Sequence, residues 1–287
     1  MDLIRFFSTF ANDFNIIYQK LITVVRKVYL GVLACLLLCI GCEWHLKPND
    51  DHRSEEIVIE RYDRIQTLYL TTGDRSALQQ LNTRYPGQTR MLIEDMLKIG
   101  HVNDPMINSK FLHYFKDSVL QAIMIDVEKQ YADISDIDKD LSQAFKELHK
   151  LLPDMHQPIF YAQIGALNQS IVVGDSMLGI SLDKYLGADY PLYERYYPVE
   201  QRQQMTRKMI VPDCLGFYIL SLYPLNEASD TSMLARREHM GKIQYVVNRV
   251  TKKRVFINDN VKSVEAYMRK NPKTSIPQLL ESDFSYK

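Results

Sequence analysis

The sequence has no excess of charge of either sign and very little cysteine. Its 287 residues carry 35 Lys and Arg against 35 Asp and Glu, and no basic run interleaved with aromatic residues occurs. This composition argues against nucleic acid as a partner. Of the four cysteines, only Cys214 lies beyond residue 42. One thiol cannot build a disulfide framework, and its apolar neighbours predict a small core residue.

Patterns that are typical of catalytic sites are also absent. The seven histidines include no pair one helical turn apart with a glutamate between them, which is the arrangement that zinc hydrolases use. No glycine spacing of a nucleophile elbow, a phosphate loop or a dinucleotide fingerprint occurs. The sequence therefore predicts no metal, no cofactor and no catalytic residue.

One long apolar run lies near the N-terminus. Arg26 and Lys27 precede an apolar stretch over residues 28–41, which is short for a membrane span of about 20 residues and is typical of an export signal. The run ends in Leu38-Cys39-Ile40-Gly41-Cys42, which resembles a lipobox. We expect cleavage before Cys42 and acylation of this cysteine, for example by palmitate.

These features predict three segments. Residues 1–41 form a lipoprotein signal peptide, residues 42–56 a polar tether, and residues 57–287 a single domain. The domain is expected in the cell envelope, facing the periplasm or the surface, with a lipid anchor in the outer membrane in preference to the inner one. The alternative is an uncleaved membrane anchor, which would bury Lys20, Arg26 and Lys27 in the bilayer.

Apolar periodicity predicts a mainly helical domain with a small sheet. Helices are expected over residues 74–85, 89–100, 109–131, 138–152, 199–209, 212–223 and 231–250. Residues 159–164 and 170–173 are rich in β-branched and aromatic side chains, and Asn168-Gln169 between them favours a hairpin. Residues 177–180 add a third strand, before a helix that begins near Leu182. The fold class is thus α+β, with a small antiparallel sheet.

The segment over residues 171–187 carries a resemblance. Its sequence, Ile-Val-Val-Gly-Asp-Ser-Met-Leu-Gly-Ile-Ser-Leu-Asp-Lys-Tyr-Leu-Gly, followed by Asp189-Tyr190-Pro191, resembles the gliding motility lipoprotein family GldB. Residues 59–63, 207–212 and 240–245 match that family in the same order. The resemblance implies a non-catalytic envelope lipoprotein that supports a gliding or secretion apparatus through contacts with other envelope proteins.

The resemblance also implies an architecture. The family looks like zincin-type metallopeptidases that lost their metal centre, so it implies a degenerate zincin-like fold. The helix that would carry zinc histidines in an active relative corresponds to residues 211–216, and the downstream glutamate position falls near residues 240–241. Neither segment contains the expected ligands.

Six residues of the matching segment are structural candidates: Gly174, Asp175, Gly179, Asp183, Tyr185 and Gly187. The glycines are expected at positions of positive φ or close backbone approach. Asp183 is expected to cap the following helix, so alanine would cost about 1 kcal/mol and asparagine little. The alternative is a peptidase-like hydrolase in which Asp175 and Asp183 face one cleft.

Overall fold

The fold is described by a computed structural model, which covers residues 56–225 and 232–282. The predictions for the signal peptide, for Cys42 and for most of the tether lie outside these residues. No helix within the described ranges is long and apolar enough to cross a membrane.

The N-terminal part of the domain is a layer of helices. Asp74 caps α2 (Arg75–Thr83) as predicted, because its side chain accepts a hydrogen bond from the Ala77 N–H at 2.7 Å. Pro86 was predicted to end this helical region but begins α3 (Pro86–Arg90) instead, since the first position of a helix needs no N–H donor. The elements are α1 (Tyr62–Thr72), α2 (Arg75–Thr83), α3 (Pro86–Arg90) and a π-helical segment (Met91–Met96).

Three further helices complete this layer: α4 (Ile107–Tyr114), α5 (Ser118–Gln130) and α6 (Ser135–Leu151). A single helix was predicted over residues 109–131, but a new helix starts after Asp117. The Asp117 carboxylate caps it by accepting hydrogen bonds from the N–H groups of Val119 and Leu120. In α6, an apolar stripe that includes Leu141, Phe145 and Leu148 is buried, as its spacing predicts.

The sheet contains three strands: β1 (Ile159–Gln163), β2 (Ile171–Val173) and β3 (Met177–Ser181), in the order β1-β3-β2. The mainly helical α+β class is confirmed. The sheet is mixed and not antiparallel, however, because β1 runs parallel to β3 while β2 runs antiparallel to it. The predicted β1–β2 hairpin is therefore wrong. The loop over residues 164–170 carries the chain past the end of β3, with Ala166 and Leu167 at positive φ.

The two edges of this sheet differ. Along β1, Glu60 forms a parallel bridge, in which the Glu60 N–H donates to the Phe160 carbonyl and the Ala162 N–H to the Glu60 carbonyl, both at 2.8 Å. In the described part of the chain, no strand or bridge lies on the outer side of β2. The β1 edge of the sheet is thus paired, whereas the β2 edge is open in the sense that no described strand pairs with it, and Ile171 and Val172 on this edge are buried.

The C-terminal part is again helical: α7 (Pro191–Tyr196), α8 (Val199–Arg202), a 3₁₀ turn (Arg207–Met209), α9 (Ile210–Leu222), α10 (Met233–Thr251), α11 (Asp259–Lys270) and α12 (Ile276–Glu281). The helix predicted over residues 199–209 is broken between α8 and this 3₁₀ turn, and α11 was not predicted. The layers meet where Phe145 of α6 packs against Phe160 of β1 and Tyr218 of α9, with ring centroids 5.0 and 5.4 Å apart.

Candidate functional site

Asp183 is fully buried behind the end of β3 and holds the β1–β2 loop. One carboxylate oxygen accepts the Gly165 N–H at 2.8 Å and the other accepts the Leu167 N–H at 2.5 Å. Burial raises the pKa of this carboxyl, and the two amide donors oppose that rise. The predicted role as a helix cap is wrong, because these amides belong to a distant loop and only a three-residue 3₁₀ turn follows β3.

Asp175 lies elsewhere. It is exposed in the turn that joins β2 to β3, whereas Asp183 follows the other end of β3. The two aspartates therefore do not face one cleft, and the pair on which the hydrolase alternative was based is not assembled.

Two of the three candidate glycines occupy positions that need glycine. Gly187 has φ +120, which residues with a Cβ rarely adopt. Gly179 faces the ring of Tyr161, and a Cβ there would lie 2.5 Å from the tyrosine Cζ. Gly174 has no positive φ, and a Cβ there would meet the flexible end of Met91. The expected positive φ is therefore confirmed for Gly187. At Gly179, a Cβ would collide with the side chain of Tyr161 and not with a neighbouring backbone.

Tyr185 links three elements. Its carbonyl accepts hydrogen bonds from the Tyr131 hydroxyl at 2.6 Å and from the Gln130 amide at 3.3 Å, both at the end of α5. Its own hydroxyl donates to Oδ2 of Asp213, in the first turn of α9, at 2.8 Å. Nearby, the Tyr193 hydroxyl donates to the Asp183 carbonyl and accepts the Leu186 N–H. The matching segment thus braces the middle of the domain.

A cleft of about 690 Å³ lies between the open edge of β2 and the helices α8 and α9. Its walls include the three residues of β2, the side chains of Asp213, Phe217 and Leu220 from α9, and the uncharged amides of Asn168, Gln169, Gln201 and Gln204. We call this space the β2 cleft. Its volume falls in the range of ligand pockets.

The backbone of β2 has hydrogen-bonding groups that point away from β3. The Ser181 N–H donates to the Ser170 carbonyl, and the Gly174 N–H to the Met177 carbonyl. Because hydrogen-bonded pairs alternate in an antiparallel ladder, Ile171 and Val173 turn their N–H and C=O groups away from β3. Within the described residues, these groups meet no further strand.

Asp213 is the residue of this cleft that the sequence analysis missed. Burial raises its pKa to about 6, and the hydrogen bond from Tyr185 opposes that rise. The only signal in the sequence is a carboxylate inside the apolar stretch Ile-Val-Pro-Asp-Cys-Leu-Gly. Cys214 beside it is buried in the core, as predicted.

A metal site is not assembled by the described residues, since no three His, Cys, Asp or Glu side chains lie close enough to share an ion. Residues 211–216 lie in α9 and residues 240–241 in α10, where Gly241 packs against Asn260 of α11. The zincin-like architecture stays a prediction.

Comparison with known proteins gives one result. The family model described as gliding motility protein GldB matches residues 43–255, about three quarters of the chain. No curated protein and no solved structure matches the chain. The match extends from the end of the predicted signal peptide, through the sheet and the β2 cleft, to the end of α10. The resemblance of residues 171–187 is thereby confirmed, and the chain belongs to the gliding motility protein GldB family.

Proposed function

We propose that this chain is a non-catalytic cell-envelope lipoprotein, held to a membrane by lipid on Cys42, that acts in gliding motility by binding another envelope protein in the β2 cleft. Family membership supports the link with gliding motility. The open edge of β2 carries the proposal of a protein contact, because backbone groups at a free sheet edge accept an extended segment as a further strand.

The β2 cleft beside this edge favours a binding role for β2 over the alternative that the edge is merely unpaired. A three-residue edge strand is by itself a common way to avoid unwanted pairing. Here, however, the strand borders a cleft that α8 and α9 keep open, with Phe217 exposed on its wall. A segment that entered would be bounded by backbone groups on one side and by apolar and amide side chains on the other. Such walls suit an extended peptide.

The state of the acidic residues supports a role without catalysis. Both oxygens of Asp183 accept loop amides, so this carboxylate is not available to take a proton from a substrate. Asp175 is exposed in a turn, away from the other carboxylates of the matching segment. The segment therefore holds the loop and the cleft in shape.

Site-specific photocrosslinking in cells tests the contact. A photoreactive residue at Gln201, an exposed glutamine of the cleft, should crosslink to one envelope protein, whereas the same residue at Gln79 on α2 should not. Val173→Pro should abolish the crosslink, since proline removes an N–H that points away from β3 and leaves the ladder intact. Equal crosslinking at Gln79, or persistence in Val173→Pro, would show that the edge of β2 is not the contact.

Anchoring is tested at Cys42. Cys42→Ala should leave an unprocessed precursor without covalent lipid, because the acylated thiol is gone. Metabolic labelling with palmitate and detergent partitioning measure this, with Cys35→Ala, outside the lipobox, as the control that keeps the acylation site. Unchanged labelling of Cys42→Ala would exclude the lipid anchor.

The enzyme alternative is tested by elemental analysis and a broad peptide-substrate screen on the purified chain. We expect no stoichiometric zinc and no turnover. About one zinc per chain retained after dialysis, which is the content of a catalytic zinc site, would contradict the non-catalytic role.

A further inference from the structure

Asp213 reaches the β2 cleft as a half-satisfied carboxylate. Its Oδ2 accepts the Tyr185 hydroxyl at 2.8 Å, and no other side-chain hydrogen bond to this carboxylate is found in the described ranges. None of the ion pairs between described residues includes Asp213. Asp213 is partly exposed, and its second oxygen accepts no hydrogen bond from the described residues, so this oxygen is open to the solvent or to a ligand in the cleft.

The cation in the wall of the cleft is committed elsewhere. The Lys184 ammonium donates to the Leu167 carbonyl at 3.3 Å and to the Tyr197 hydroxyl at 3.2 Å, and it lies 4.6 Å from the centre of the Tyr197 ring. Burial raises the pKa of Asp213, the hydrogen bond from Tyr185 opposes that rise, and no cation contributes. Asp213 and Lys184 are therefore not an ion pair.

This arrangement reduces the stability of the fold. With its pKa raised to about 6, Asp213 is mostly ionised at neutral pH while partly withdrawn from water. An asparagine could accept the same tyrosine hydroxyl without the charge. A charge that destabilises the fold and lies in the wall of an open cleft is the kind of local conflict that occurs at functional sites.

We propose that Asp213 is the specificity residue of the β2 cleft, where its carboxylate pairs with a Lys or Arg side chain of the extended segment that adds to β2. This inference rests on the proposed function of the cleft. The remaining polar side chains on the walls are uncharged except for Lys184, so Asp213 is the one carboxylate among the lining residues that could recognise a cation. A cation in this place would complete the hydrogen bonding of Asp213 and neutralise its charge.

A positional-scanning library of extended nine-residue peptides, applied to the full lipidated chain in detergent micelles, tests this pairing. We expect enrichment of Lys or Arg at one peptide position. Asp213→Asn should reduce that enrichment at least tenfold. Asp126→Asn is the matched control, because Asp126 also accepts a tyrosine hydroxyl at 2.8 Å, from Tyr190, outside the cleft.

Two further readouts separate the outcomes. The affinity for a lysine-containing peptide should fall by up to about tenfold between pH 7.5 and pH 5, because the ionised fraction of Asp213 falls over this range, while a norleucine analogue should bind equally at both. Basic enrichment that survives Asp213→Asn, peptide binding without basic preference, or no peptide binding would each overturn the role of Asp213. In each of these cases, the crosslink at Gln201 decides separately whether the cleft itself binds a protein.

Discussion

Asp183 is fully buried and Asp213 is half-buried, and their surroundings satisfy the two carboxylates to different degrees. Asp183 lies behind the sheet, where one amide N–H donates to each oxygen. Asp213 lies in the wall of the β2 cleft, where one tyrosine hydroxyl donates to one oxygen. Burial raises the pKa of both carboxyl groups. The two sites therefore differ in the number of hydrogen-bond donors and not in the direction of the pKa shift.

This difference separates a structural carboxylate from a candidate for recognition. A buried polar group with all its partners rigidifies a fold, while one that lacks a partner destabilises it unless a ligand or a water supplies that partner. Asp183 has no acceptor capacity aimed at open space, and it fixes how the chain passes the end of β3. Asp213 keeps an acceptor at a cavity. Asp183, which belongs to the segment that matches the family, therefore has a structural role.

The largest effect is expected at Asp183. Asp183→Ala leaves the N–H groups of Gly165 and Leu167 buried without acceptors, which should lower the free energy of unfolding by about 3–4 kcal/mol. Asp183→Asn should lower it by about 2 kcal/mol, since the amide has one acceptor oxygen and faces the second N–H with a donor. Urea unfolding at pH 7 measures both.

An Asp183→Asn variant as stable as the wild type would show that the loop does not need both carboxylate oxygens and would remove the contrast between the two carboxylates. Ser176→Ala, in the exposed turn between β2 and β3, is the control and should leave the free energy of unfolding within about 0.5 kcal/mol of the wild type.

The sequence predicts what depends on neighbours along the chain. The stripe of Leu141, Phe145 and Leu148 defines α6, and Asp74 marks the start of α2, because both signals lie within a few residues of the structure they cause. The loop between β1 and β2 is held instead by Asp183, which accepts hydrogen bonds from amides 16 and 18 residues away. No local period records such a contact, so a hairpin was predicted where the chain crosses the end of β3.

The same limit explains what was missed in the candidate site and in the C-terminal helices. The β2 cleft is bounded by β2 and by α9, which follows about 40 residues later, so neither segment alone indicates it. Asp213 becomes informative only when its surroundings are known. In α11, only Val261 and Val264 are buried, which is too narrow an apolar stripe to predict a helix.

Asparagine at position 213 should change the free energy of unfolding in the opposite direction to asparagine at position 183. For Asp213, the folded protein binds the proton more tightly than the unfolded chain, so stability should fall as the pH rises from about 4 to about 6 and should stay low above that range. Asp213→Asn removes this loss and should raise the free energy of unfolding at pH 7.5 by about 2 kcal/mol, with little gain at pH 3.5.

Urea unfolding of the wild type and Asp213→Asn across this pH range provides the measurement. If asparagine destabilises the protein at pH 7.5, as it should at Asp183, then Asp213 is satisfied by partners in the folded chain and the two carboxylates belong to one class.

The smallest change in stability is expected for Tyr185→Phe. This variant removes the hydrogen bond from the Tyr185 hydroxyl that lowers the pKa of Asp213. Loss of the hydroxyl removes the donor that lowers the pKa of Asp213, so this pKa should rise further above 6. The bonds from α5 to the Tyr185 carbonyl stay in place, and the change in stability should remain under about 1 kcal/mol.

A carboxyl-detected NMR titration reads the pKa directly, and Tyr190→Phe, which removes the equivalent donor from Asp126, should leave the titration of Asp213 unchanged. An unshifted titration of Asp213 in Tyr185→Phe would mean that another group holds the carboxylate in the ionised state, and the cleft would then contain the cation that we assign to its partner.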